Sequence, residues 1–189
     1  MIVKNESKKL ERCLSSVTNI ANEIIIVDTG SEDNTKEIAL SFNAKVFDFK
    51  WTFSFSEARN YSISKSTGDY NLIIDADEYV TKCDIDELQT FIENNDIIGK
   101  VKLIDLFNNK DRINREHIYI TRFLPKGIYY TRKIHEQIDS VLPRINTPIE
   151  LTHDGYVDRS NTNFHRNIDL LKLGIKENLK EAYNYLIRL

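Results

Sequence analysis

Basic blocks, long apolar runs and closely spaced cysteines are what this chain has little of. Its 189 residues carry a formal net charge of −3, with no large cluster of lysines or arginines. A dedicated nucleic-acid binder presents a basic face, so that class is set aside. No apolar run approaches the roughly 18 residues that a membrane span needs. The opening stretch MIVKNESKKLERC lacks an apolar segment, so no secretory signal is expected. Cys13 and Cys83 lie far apart and match no metal or redox spacing. They read as reduced, structural residues of a cytoplasmic chain. Glycine is thin near the N-terminus, where Gly30 is the first. A sugar nucleotidyltransferase would want a Gly-rich, basic phosphate loop there. No internal repeat or low-complexity linker interrupts the chain. What remains is ordinary in proportion, 41% hydrophobic and 29% charged, and long enough for one domain with a real core.

The chain is organised around YNLIIDADEYV, Tyr70 to Val80. Leu72-Ile73-Ile74 reads as a buried strand and runs straight into Asp75, Asp77 and Glu78. Carboxylates at the carboxyl end of such a strand sit on the rim of an open α/β sheet, where ligands bind. In a strand, residues i and i+2 point the same way, so Asp75 and Asp77 are expected to converge. A hard divalent cation, Mg²⁺ or Mn²⁺, suits two convergent carboxylates. The bland rival is a solvated loop whose acids cap the next helix.

Earlier in the chain, strands and helices alternate. A strand tail at Met1-Ile2-Val3 is followed by a helix from Lys8 to Asn19, with Leu10, Leu14 and Val17 at helical spacing. A strand over 23–27 ends in Asp28 and a helix follows over 34–42. A short strand over 44–47 and a helix over 56–66 lead to the Asp75 stretch. The order predicts a largely parallel sheet with helices on both faces. Beyond Val80 come a helix over 85–94 and alternating, antiparallel strands over 100–107 and 117–124. Residues 163–189 read as two helices. The chain starts almost inside its first strand and stops inside a helical pattern, so the ends read as trimmed or continued by further chain.

Taken together and in order, MIVKNE, IIIVDTGSEDNT, FSEARN, DADE, IHEQ, THDGY and HRN make the chain resemble family 2 glycosyltransferases. The likeness is to a bacterial branch that includes peptide S-glycosyltransferases and cell-envelope sugar transferases. It implies a GT-A fold: a Rossmann-like, mostly parallel sheet flanked by helices, a small antiparallel portion, and a C-terminal helical segment. Residues 1–160 would be the catalytic domain and 161–189 the start of a helical region. The resemblance also implies a nucleotide-diphosphate sugar donor, UDP-linked by preference, a divalent metal, and inversion at the anomeric carbon. It puts Val3, Lys4 and Glu6 near base and ribose, Asp28 beside the nucleobase, and Arg59 near the phosphates. Asp75 would face the ribose or metal, and Asp77 and His153 would hold the metal. Glu136 would be the base beside the acceptor. The chain departs from the commoner pattern at Thr29, where relatives carry a second acid.

Such chemistry uses these residue types. The departing diphosphate gains negative charge, which a cation and an arginine stabilise. A carboxylate on the opposite face takes the acceptor's proton. The acceptor is left open among a peptide, a lipid-linked sugar and a glycan, and a homodimer is an open option. The competing readings are a degenerate nucleotide-binding module without turnover and a sugar nucleotidyltransferase.

Overall fold

The computed structural model describes residues 1–93, 96–109, 112–132 and 136–156. The expected C-terminal helices and domain division, His135 and His165 lie outside these residues.

Strands β1 (Ile2–Val3), β2 (Ile25–Asp28) and β3 (Lys45–Asp48) form a parallel sheet in that order. The register sets Val3 beside Asp28 and Asp28 beside Asp48, so three strand ends share one rim. Helices α1 (Leu10–Val17) and α2 (Thr35–Ser41) make the crossovers. In α1 the residues Leu10, Cys13, Leu14 and Val17 are all buried. Their spacing places them on one stripe, and that stripe docks the helix. Leu10 and Leu14 pack with Val3, Ile26, Ala39, Ala44 and Ala76. Helix α3 (Phe55–Lys65) starts at Ser54, whose hydroxyl accepts from the Glu57 amide at 3.2 Å. That bond satisfies one of the helix's orphan donors.

The second sheet is mixed. It comprises β4 (Tyr70–Leu72), β5 (Glu78–Cys83), β6 (Ile98–Asn109), β7 (Arg112–Pro125) and β10 (Arg144–Tyr156), ordered β4-β7-β6-β10-β5. Strand β10 runs parallel to β6, and the other pairings are antiparallel. Helix α4 (Ile85–Glu93) follows β5, and β8 (Tyr130–Thr131) pairs with β9 (Gln137–Ile138). Val17 and Ile74 pack on Val101, Leu103, Phe123, Ile149 and Leu151, joining α1 to this sheet.

The fold class is the expected one, with an antiparallel portion longer than anticipated. The strand leading to Asp75 differs in detail. It ends at Leu72 and pairs antiparallel with β7, Leu72 beside Phe123. Ile73 and Ile74 are buried beyond the strand's end. A turn then forms, in which the Glu78 amide donates to the Asp75 carbonyl at 3.0 Å. Strand alternation is lost there, and with it the reason for Asp75 and Asp77 to point together.

Glu23 ties the entrance of β2 to the turn before β4. It accepts from Lys45 at 2.9 Å, the Thr67 hydroxyl at 3.0 Å and the Gly68 amide at 3.2 Å. Burial would raise its pKa, but these bonds, Lys45 foremost, hold it at about 2, below the ordinary 4.5. A depressed carboxylate stabilises the fold above its unfolded pKa and loses that contribution as pH falls through its folded one. Glu23→Gln is therefore expected to cost about 1–3 kcal/mol at pH 7. In denaturant melts the deficit should shrink between pH 4.5 and 2. Equal midpoints at pH 7 would contradict it.

Candidate active site

At the rim of the parallel sheet, two loops are latched together. The Asn5 amide donates to Ser31 Oγ at 2.9 Å, the Glu6 amide to Thr35 Oγ1 at 2.8 Å, and the Ser7 amide to Asp33 at 3.1 Å. Val3 is buried, Lys4 is exposed and Glu6 is half-buried. Thr29 donates through both its amide and its hydroxyl to the Val3 carbonyl, at 2.9 and 3.0 Å. The position where an acid was expected thus binds β1 to β2 instead. Asp28 is 1% exposed. Its Oδ1 accepts from the Gly30 and Ser31 amides, each at 2.9 Å, while its buried Oδ2 has no hydrogen-bond partner among the described residues. Burial opposes its charge, but the Ser31 and Gly30 bonds, with Lys36 nearby, hold its pKa below the usual carboxylate range. Gly30 has φ +106°, a conformation that lets its amide turn back onto Asp28 without steric cost.

Asp75 and Asp77 take different partners. Asp75 Oδ1 and Oδ2 accept from Arg59 Nη2 at 3.0 and 3.1 Å, and Oδ2 also accepts from Arg122 Nη2 at 3.0 Å. Arg122 reaches Glu78 at 3.4 Å as well, and Glu78 accepts from the Asp75 amide at 2.9 Å. Burial favours a neutral Asp75, yet the guanidiniums of Arg122 and Arg59 outweigh it and keep its pKa far below the ordinary value. Glu78 goes the other way: burial and the neighbouring Asp75 charge raise it despite Arg122. Asp75, expected to face the ribose or the metal, is thus held by two arginines. Arg59 also meets Glu136, with Nε 3.0 Å from Oε1. Their alignment falls short of a hydrogen bond, so Glu136 Oε1 has no donor among the described residues despite its burial. Glu136 lines a cleft of about 460 Å³ with Arg59, Arg122, Tyr130, Ile138 and Arg144.

Asp77 faces the far strand of the mixed sheet. Its Oδ2 lies 3.3 Å from His153 Nε2. His153 Nδ1 lies 2.7 Å from Asp105 Oδ1, its register neighbour on β6. Burial would lower the His153 pKa, but the bonds to Asp77 and Asp105 raise it to about 9. A methyl group at Gly155 would collide with both His153 Nε2 and Asp77 Oδ2, so the missing side chain leaves room beside those atoms. Next to it, Asp154 pairs with Arg12 of α1, which also lies 4.2 Å over the Tyr79 ring. Among the described residues no three His, Cys, Asp or Glu side chains form a ready metal cluster. The Asp77–His153 pair fits a divalent cation in three respects. It offers one oxygen and one nitrogen, its imidazole is oriented by a carboxylate on the other nitrogen, and Gly155 keeps the approach clear.

Arg122 and Asp105 carry no motif and were missed in the sequence. The available signal was an interruption: Arg122 breaks an apolar strand just before the buried Phe123 and Leu124, an odd place for a charge unless it is paired. Removing one partner of a buried ion pair strands the other. Arg122→Met should therefore lower unfolding free energy by about 3–5 kcal/mol in chemical denaturation. A loss below about 1 kcal/mol, the surface-pair range, would contradict a buried network.

The family model for glycosyl transferase family 2 matches residues 1–148. An uncharacterised glycosyltransferase of Rickettsia bellii is 30% identical over 98% of this chain, which spans 58% of that relative. The Bacillus subtilis glycosyltransferase SunS is 40% identical over 43% of this chain and 20% of its own. The crystal structure of S. aureus TarS superposes on 91% of this chain and 38% of its own, with a TM-score of 0.54 and 13% identity, a likeness of fold. The chain has the GT-A architecture and belongs to glycosyl transferase family 2.

Proposed function

We propose that the chain transfers a sugar from a nucleotide-diphosphate donor, UDP- or GDP-linked, to an acceptor with inversion, aided by a divalent cation. The observation that carries this reading is the facing pair Asp77 Oδ2 and His153 Nε2, 3.3 Å apart beside Gly155. Asp77 and His153 would hold Mn²⁺ or Mg²⁺. When bound, such a cation stabilises the negative charge that a diphosphate gains on leaving.

The remaining roles fall to this chain's own groups. Asp28 Oδ2, buried without a partner, accepts a base N–H, a donor that both uracil and guanine carry. The β1 rim, with Val3, Lys4 and Glu6, borders base and ribose. Asp75 holds Arg59 in place, and Arg59 sets Glu136 against the cleft. Glu136 accepts the acceptor's proton as the new bond forms at the anomeric carbon and the bond to the diphosphate breaks. The proton ends on the carboxylate, and the electron pair leaves with the nucleoside diphosphate.

The test is release of UDP or GDP from donor sugars in the presence of Mn²⁺. Asp77→Ala is expected to lose nearly all activity. Glu136→Gln should lower kcat by about 10²–10⁴-fold with the donor KM little changed, as loss of a general base does. An Asp77→Ala enzyme as active as the parent would remove the cation from the reaction. An unchanged kcat in Glu136→Gln would remove that residue as base.

A further inference from the structure

The cleft beside Glu136 contains more donor capacity than its carboxylates use. Arg122 spends Nη2 on Asp75 and Glu78, while its buried Nη1 has no hydrogen-bond partner among the described residues. Tyr130 is 8% exposed, and its buried hydroxyl likewise has no partner among them. Arg144 donates one bond, to the Ile138 carbonyl at 2.8 Å, and meets no carboxylate among the described residues. All three line the same 460 Å³ cleft. They come from three different strands, β7, β8 and β10.

These donors are held in position beforehand. The Tyr130 backbone is clamped to Asn60 of α3 in both directions, each bond 2.8 Å. Its ring lies under Arg59, 5.8 Å from the guanidinium carbon. Arg122 is fixed by its two carboxylates. Unsatisfied buried donors cost stability when nothing accepts from them, which is the mark of a site awaiting an acceptor group. The missing partner must be rich in acceptors, small enough for the cleft and negatively charged. A phosphate group, with several outward oxygens, answers donors arriving from three strands better than a planar carboxylate does.

We propose that Arg122, Tyr130 and Arg144 bind a phosphate group carried by the acceptor, separate from the donor's diphosphate. The role as acceptor subsite rests on the reading of Glu136 as the base, which shares the cleft. The acceptor class is then phosphorylated: a sugar phosphate, a phosphate-containing polymer or another phosphate ester.

Calorimetry with inorganic phosphate, without nucleotide or metal, tests the subsite. Arg144→Ala and Tyr130→Phe should each weaken phosphate binding by about tenfold, the loss of one charge-assisted hydrogen bond. Arg144→Ala should keep the parent's thermal midpoint, Tyr130→Phe should match or exceed it because an unsatisfied buried hydroxyl is removed, and both should keep Mn²⁺-dependent UDP binding. Acetate should bind more weakly than phosphate. Undetectable phosphate binding by the parent, unchanged affinity in both variants, or acetate binding as tightly as phosphate would overturn the proposal. The two readings fail separately. A protein that holds phosphate through Arg144 but never binds UDP keeps the subsite and loses the donor. A protein that binds UDP while both variants leave phosphate affinity untouched keeps the donor and loses the subsite.

Discussion

A carboxylate half withdrawn from water must be held by partners, and Asp75 is the one whose partners organise this molecule. It sits between Arg59 of α3 and Arg122 of β7, with Glu78 of β5 on the other side of Arg122. An isolated buried charge would be untenable, while a saturated cluster of charges holds its members in one geometry. That geometry locks the turn after β4, orients α3 against the mixed sheet, and delivers Arg59 to Glu136. Asp77 is two residues away, on the same locked turn. Its direction toward His153 follows from where Asp75 is anchored.

The two sheets divide the work. The parallel sheet brings backbone amides and the buried Asp28 to one rim. The mixed sheet brings charged side chains from distant strands to a second rim. His153 and Asp105 meet because β10 and β6 run in parallel with those residues in register. The register pairing of His153 with Glu78 on β5 carries the same row across to the Asp75 turn.

Much of this was legible in order of residues, and the boundary is physical. Helix α1 announced itself by apolar spacing, and strand ends by an abrupt change from Ile or Val to Asp. Such signals are local. Of the residues singled out, Asp28 lies at the end of β2, Arg59 and Glu136 line one cleft, and Asp77 meets His153. What stayed hidden depends on pairing between remote strands. Arg122 reaches Asp75 across 47 positions, and Asp105 meets His153 across 48. No period of 2 or 3.6 encodes such meetings. The expected convergence of Asp75 and Asp77 assumed an unbroken strand, and the turn from Asp75 to Glu78 ended it. At Thr29 the sequence shows only a departure from the commoner pattern, and its role in tying β2 to the Val3 carbonyl needed the register.

The central claim is a separation of duties between neighbouring acids: Asp75 serves the arginines, and Asp77 with His153 serves a cation. Pulsed electron paramagnetic resonance of Mn²⁺ bound with UDP reads this directly, through the nitrogen coupling of a coordinated imidazole. The predicted spectrum shows coupling to one imidazole nitrogen, lost in His153→Gln. A spectrum without nitrogen coupling, or one that His153→Gln leaves intact, would contradict the account.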